Sequence, residues 1–364
     1  MAQRFTDYAE PAPRPIPAGR ASLRKWLTYP AWGTLLLVLA YSHFFPRAAL
    51  RWQYVPFLVG MVFLGLPHGA LDHLAPLHLR QRRLTPWYML CFVVGYLVCV
   101  VVYLLFWHVF PAAALCVFLL LSWLHWGQGD AYYLEIFEDA PPPRHRAERL
   151  LRWLVRGGLP IVLPALAYPQ VFAQVAGGIV GWYGTGGDWH LGESWRSGGF
   201  GLLAGLIVAY LLVSWSGSRR GFRRDAWEIG LLLAYFSLVP PILAIGVYFC
   251  VWHSARHMAR LLLLDPANAL PMKRSLPAGP LLRMVGQAIP MTLGALLLMA
   301  GLFWWQGRTR VDAGSLVMLY LSLIAALTFP HFLLVLWMDR VELVERRPYP
   351  VVIGSGSDPI SDGL

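Results

Sequence analysis

Apolar runs of membrane-crossing length recur from residue 31 to residue 338 of this 364-residue chain, and charge is confined to the segments between them. A bilayer core demands about 20 consecutive apolar residues per helix. Divided at its Gly, Pro and charged breakers, the pattern predicts ten spans: 27–45, 53–74, 85–107, 111–134, 150–169, 198–215, 226–239, 241–263, 281–304 and 314–338. The seventh is short, and Pro240–Pro241 after it reads as a tight turn rather than a kink in one longer broken helix. The expected fold is all-α, a polytopic membrane bundle of about ten helices (eight to ten).

Composition narrows the function classes. Hydrophobic residues make up 57% of the chain and charged ones 13%, against about 25% charged in an ordinary soluble domain. A soluble enzyme, a disordered chain and a disulfide scaffold are excluded. The net charge of +11 is a topology signal rather than a nucleic-acid footprint. With the N-terminus inside, the outer segments hold only Arg47, Arg51, Arg196, Arg308 and Arg310, Arg156 lies within a span, and every other Lys and Arg falls on the inner side. The positive-inside rule then places both termini in the cytoplasm of a multi-pass protein of the cell membrane. Reading Pro240–Pro241 as a kink would put the basic 256–283 segment outside.

Three regions follow: a disordered cytoplasmic tail over 1–26, a transmembrane catalytic domain over 27–340 and a cytoplasmic tail over 341–364. The outer segment 170–197, Gly/Trp-rich at 184–189, is expected to be a connection lying at headgroup depth. Cys91, Cys99, Cys116 and Cys250 all fall inside spans without CxxC spacing and read as small apolar residues.

Ionisable side chains inside spans carry the functional signal, because each needs a partner, a cavity or a metal. Histidine dominates them. His68 lies in Gly65-Leu-Pro-His-Gly-Ala-Leu-Asp72, His125 in Ser122-Trp-Leu-His-Trp-Gly-Gln-Gly-Asp130, His253 and His257 in Trp252-His-Ser-Ala-Arg-His257, and His331 follows Pro330. The i, i+4 pair His253 and His257 occupies one helix face, which lets both imidazoles reach one ion. Spans two, four, eight and ten all run inward, and counting along each puts the five histidines within roughly 8 Å of one depth. A metal or redox centre is the reading this favours over five separate packing residues. His43, His73, His78, His108, His145 and His190 sit at edges or in loops and read as ordinary surface or interface residues.

Asp72 and Asp130 follow His68 and His125 closely. They are either acceptors for imidazole N–H groups or helix-end carboxylates paired with Arg82, Arg83 or Arg256. Gly65, Gly69, Gly127 and Gly129 leave room for close helices or a bulky ligand. Trp123, Trp126, Tyr248, Phe249 and Phe329 are placed to line an apolar channel.

The string Pro67-His-Gly-Ala-Leu-Asp72, with His-x-Gly-x-x-Asp at 125–130, His-x-x-Arg-His at 253–257 and a last Pro-His at 330–331, resembles the Brp/Blh family of membrane-bound β-carotene 15,15′-dioxygenases. The resemblance covers residues 50–340 in motif order and leaves 1–26 and 170–197 outside it. It implies one ferrous ion, Fe(2+), held by four histidines, and cleavage of β-carotene by O2 into two retinals. Carried over, the ligands would be His68, His125, His253 and His257, with His331, Asp72, Asp130, Trp126 and Tyr248 near the site. The implied partners are β-carotene, O2 and the lipid bilayer, with a functional link to a retinal-binding opsin and no nucleic acid. From the residues alone, four histidines would also accept zinc or copper. A bis-histidine haem protein, a histidine-lined transporter and a non-catalytic regulator of carotenoid or opsin metabolism remain as other classes, whereas a di-iron desaturase needs more histidine boxes than the one present.

Overall fold

The computed structural model describes residues 20–183, 192–268, 278–305 and 313–345, and every regular element among them is helical. In chain order the helices are α1 (Arg20–Phe44), α2 (Pro46–Trp52), α3 (Tyr54–Ala70), α4 (Ala75–Leu79), α5 (Pro86–Val109), α6 (Pro111–Phe137), α7 (Arg146–Ala167), α8 (Pro169–Tyr183), α9 (Glu193–Gly217) and α10 (Arg219–Leu238). Then Pro241–Tyr248, Phe249–Ser254 and Ala255–Leu264 run on without interruption as α11, followed by α12 (Ala278–Trp305) and α13 (Ala313–Glu345).

Proline opens many of these helices, at Pro46, Pro86, Pro111, Pro169 and Pro241. Its missing N–H is unneeded in a first turn and its φ is already helical. Side-chain caps add to this: the Thr85 hydroxyl accepts from Tyr88 N at 3.2 Å, and Ser218 from Gly221 N at 3.3 Å. At Pro240 the backbone is extended (φ −50°, ψ 130°), so α10 ends and α11 starts afresh.

Among the described residues six helices, α5, α6, α7, α9, α12 and α13, are long and apolar enough to cross a membrane, seven if the pair α1 and α2, bent by 115°, counts as one span. The other expected segments are helical as well but fall short by length or charge. Helix α3 is short, and α10 begins with four arginines and Asp225. Helix α1 starts at Arg20, so the helix reaches into the expected tail, of which residues 1–19 lie outside the described residues, as do 346–364.

The outer segment differs from its expectation. Residues 169–183 form α8, whose Ala176, Ile179 and Val180 are buried against Trp107, Phe118 and Ala325. Gly178 lies directly on Met318. An apolar face on a helix too short to span explains both its invisibility to a span count and its burial. The Gly/Trp-rich 184–189 stretch lies outside the described residues.

Two seams set the packing. At the first, a Cβ on Gly127 would land on the Trp153 carbonyl and one on Gly157 on the Trp123 carbonyl, so α6 and α7 cross backbone against backbone. At the second, α3 and α11 each contain a π-helical turn, Met61–Gly65 and Phe249–Ser254. These turns face each other: a Cβ on Gly60 would meet Cys250 Sγ at 2.5 Å, and one on Gly65 would meet Phe249 Cε1 at 2.9 Å. Such turns are rare and cluster at functional sites. Helices α5 and α12 bury only 11% of their apolar stretch, whereas α7 and α13 bury 56%, so the former lie on the outer wall.

Candidate metal centre

The five histidines singled out in the apolar runs meet. His68 follows the π turn of α3, His125 lies on α6, His253 sits inside the π turn of α11 with His257 on the α-helical turn after it, and His331 follows Pro330 in α13. All are buried. Ring centroids of His125 lie 4.7 Å from His331 and 5.0 Å from His253, and those of His331 lie 5.1 Å from both His68 and His257.

Their nitrogens divide into pinned and unpartnered. His68 Nδ1 bonds the Gly65 carbonyl. His331 Nδ1 bonds both Asp72 oxygens, at 2.8 and 3.0 Å. A carboxylate only accepts, so His331 Nδ1 carries the hydrogen, and its Nε2 lies 3.1 Å from His125 Nε2. His253 Nε2 and His257 Nε2 are buried without a hydrogen-bond partner. Buried nitrogens left bare cost free energy, and one cation among them would satisfy several at once. Among the described residues two ligand groupings fall within 4.8 Å: His68, His125 and His331, and Asp72, His257 and His331. The donor set is nearly all imidazole, which suits iron, copper or zinc rather than magnesium or calcium.

Asp72 acts on His331, and Tyr96 holds it in turn: the phenol donates to Asp72 Oδ2 at 3.1 Å and lies 3.3 Å from the Leu327 carbonyl. Asp130 faces away from the imidazoles. It accepts from Arg256, from Trp252 Nε1 at 2.8 Å and from Arg156 at 3.3 Å, which is the helix-end pairing weighed for it above. Trp126 stacks on His253, centroids 5.2 Å apart and 25° between planes, and Tyr248 packs on Trp126 at 5.5 Å.

Sequence reasoning missed the ionic cluster behind the histidines. Arg156, wholly buried, bonds Glu228, Asp225 at 2.7 Å and Asp130, while Arg256 bonds Glu228 at 3.1 Å and stacks on Trp252 at 3.8 Å. Tyr210 and Ser214 donate to Asp225 at 2.9 and 2.6 Å. One turn on, Arg260 pairs with Glu342 at 2.6 Å and Asp339 at 2.8 Å. These contacts fix α11, and with it His253 and His257, against α6, α7, α10 and α13. The available signal was Arg156 itself, an arginine set well inside an apolar span, which requires buried carboxylates.

Beside the histidines opens a cavity of about 500 Å³, within the range of small-molecule sites. His68, His125, His253 and His331 form part of its wall, and the rest is almost wholly apolar, from Phe118 and Phe172 to Ile242 and Val317. Trp126 and Phe249 line it, whereas Tyr248, Trp123 and Phe329 do not. Trp123 instead donates to the Leu154 carbonyl at 2.8 Å, and Phe329 stacks on Tyr103. On α13 the wall runs from Val317 to His331, about 21 Å at 1.5 Å per residue. Gly69 and Gly129 keep side chains away from the imidazoles: a Cβ would lie 3.9 Å from His331 Nδ1 and 3.7 Å from His253 Cε1.

Residues 59–339 match the family model of β-carotene 15,15′-dioxygenase. The probable β-carotene 15,15′-dioxygenase Blh of Halobacterium salinarum is 37% identical over 303 residues, covering 80% of this chain and 85% of the relative. The probable β-carotene 15,15′-dioxygenase Brp of the same organism is 29% identical over 304 residues (78% and 83%). The β-carotene 15,15′-dioxygenase of the uncultured marine bacterium 66A03 is 24% identical over 294 residues (77% and 92%). No solved structure matches. With the histidines of all four motifs inside the matched region, the chain belongs to the β-carotene 15,15′-dioxygenase family.

Proposed function

We propose that this chain is a multi-pass cell-membrane enzyme, a non-haem iron dioxygenase that splits the central 15,15′ double bond of β-carotene with O2 to give two all-trans-retinals. The observation that carries the reading is the meeting of five buried imidazoles from four helices with the wall of an apolar cavity. A hydrocarbon substrate with no polar group to recognise suits a wall this apolar. The 21 Å run from Val317 to His331 holds one half of a C40 polyene, which brings its middle to the histidines.

His68, His125, His253 and His257 are the ligands that the family resemblance implies, and His331, facing His125 and pinned by Asp72, joins them as a fifth imidazole. Ferrous iron bound there would supply activation of dioxygen. The protein's part is placement. Gly65 and Asp72 fix the rings of His68 and His331, the ionic cluster fixes α11, and the apolar wall keeps water from the polyene. Both substrates partition into lipid, so a site within the bilayer needs no aqueous mouth.

The test is aerobic incubation of the purified, iron-loaded protein with β-carotene under ¹⁸O2, alongside His125→Ala. Retinal as the only major product, labelled in both molecules and absent from the variant, is the expected result. One bound iron per chain with no aldehyde formed would overturn the proposal.

A further inference from the structure

The cavity wall includes residues exposed on the outside of the bundle. Among its described lining residues only Leu97, Pro290 and Gly294 are exposed, Leu97 by 47%, and the remainder are buried or half-buried. Leu97 belongs to α5, and Pro290 and Gly294 to α12. These are the two outer-wall helices. Each packs against α13, and they do not pack closely on each other. The rim residues lie near the middle of their helices, where a spanning helix meets the centre of the hydrocarbon.

The rim chemistry fits a hydrocarbon and nothing more polar. Pro290 has no N–H and releases the carbonyl one turn before it, which bends a helix locally. Gly294, one turn later, has no side chain, and a Cβ there would meet no atom within 4 Å. Leu97 opposite is apolar. The opening also lies next to the histidines: α12 packs on the Leu66–Ala70 stretch that carries His68, and Tyr96, adjacent to Leu97, bonds Asp72.

We propose that the gap between α5 and α12, rimmed by Leu97, Pro290 and Gly294, is the doorway through which a long conjugated hydrocarbon passes sideways from the bilayer centre to the metal centre. The inference rests on the substrate class proposed above and adds the route.

The experiment uses the iron-loaded full chain in phosphatidylcholine vesicles without oxygen, where uptake proceeds without turnover. β-Carotene is delivered from a second vesicle population, and uptake is followed by quenching of tryptophan fluorescence. Gly294→Phe, placed in open space, is expected to slow uptake about tenfold or more, because association then waits on movement of a side chain or helix. The final extent of binding should stay unchanged. Gly301→Phe, on the same helix and also facing open space but outside the cavity wall, should behave as wild type. Wild-type uptake kinetics in Gly294→Phe would overturn the doorway, as would a reduced extent at an unchanged rate, which would make residue 294 a wall of the binding site. Absence of uptake by the wild type would instead overturn the substrate reading, and the doorway with it.

Discussion

The bundle has a locked half and a roomy half, and the candidate metal centre lies on the seam. In the locked half α6, α7, α10 and α11 are joined by backbone contact at Gly127 and Gly157 and by the buried cluster of Asp130, Arg156, Asp225, Glu228 and Arg256. In the roomy half α3, α5, α8, α12 and α13 surround the cavity, and two of the glycines lining it, Gly69 and Gly294, meet no neighbouring backbone. His125, His253 and His257 come from the locked half. His68 and His331 come from the roomy one, and each is pinned by its own acceptor, Gly65 O and Asp72. The difference teaches how a precise site can border an open cavity: where helices are clamped the clamp orients the ligands, and where they are not, a hydrogen bond does so ring by ring.

Substitutions on either side of the seam sharpen or break this contrast. His331→Ala should have the largest effect, with iron content and retinal formation falling more than about 100-fold, beyond the range for a residue that merely supports a ligand; iron analysis and product chromatography read both. Arg156→Met leaves three carboxylates without their common partner and should cost about 3–5 kcal/mol, seen as a large drop in the unfolding midpoint in detergent. Asp72→Asn keeps the shape but weakens the hold on His331, so iron affinity should fall about 10–100-fold with the unfolding midpoint little changed; a metal titration checks it, and an unaltered affinity would remove Asp72 from its pinning role. Gly157→Ala forces a methyl group onto the Trp123 carbonyl and should destabilise by about 1–3 kcal/mol, whereas Gly294→Ala, in the roomy half, should leave the midpoint unchanged or slightly raised. Glu193→Gln removes the charge of an 83% exposed side chain paired with Arg196 and leaves the Arg196 bond to the Leu166 carbonyl in place, so it should move stability by less than about 0.5 kcal/mol.

What the chain disclosed in advance follows from how local each feature is. Histidine inside an apolar run stands out in any window, and inward-running spans gave the five a common depth, so their meeting was legible without contacts. For Asp72 the sequence left two roles open, an acceptor for an imidazole or a partner of a nearby arginine, and its contact with His331 joins residues 259 positions apart. The pairing of Arg156 with Glu228 and Asp225 joins residues 72 and 69 positions apart, and no local period encodes it. Helix α8 escaped because it is too short to span and carries Gln170, Gln174, Gly177 and Gly178. The choice of Trp126 and Phe249 over Trp123 and Phe329 as lining residues depends on rotation about helices whose neighbours were unknown.

The two facing π turns bear on which genetic changes this protein tolerates. A π turn carries one residue more than the α-helix around it, so it marks a place where one codon is structurally surplus and functionally indispensable. Deleting a single residue within 61–65 would return α3 to ordinary winding and keep every flanking segment helical. It would also swing His68 by about 100° relative to the preceding turns, and the same loss within 249–254 would swing His257. The loss of three nucleotides would thus be enough to part the five histidines.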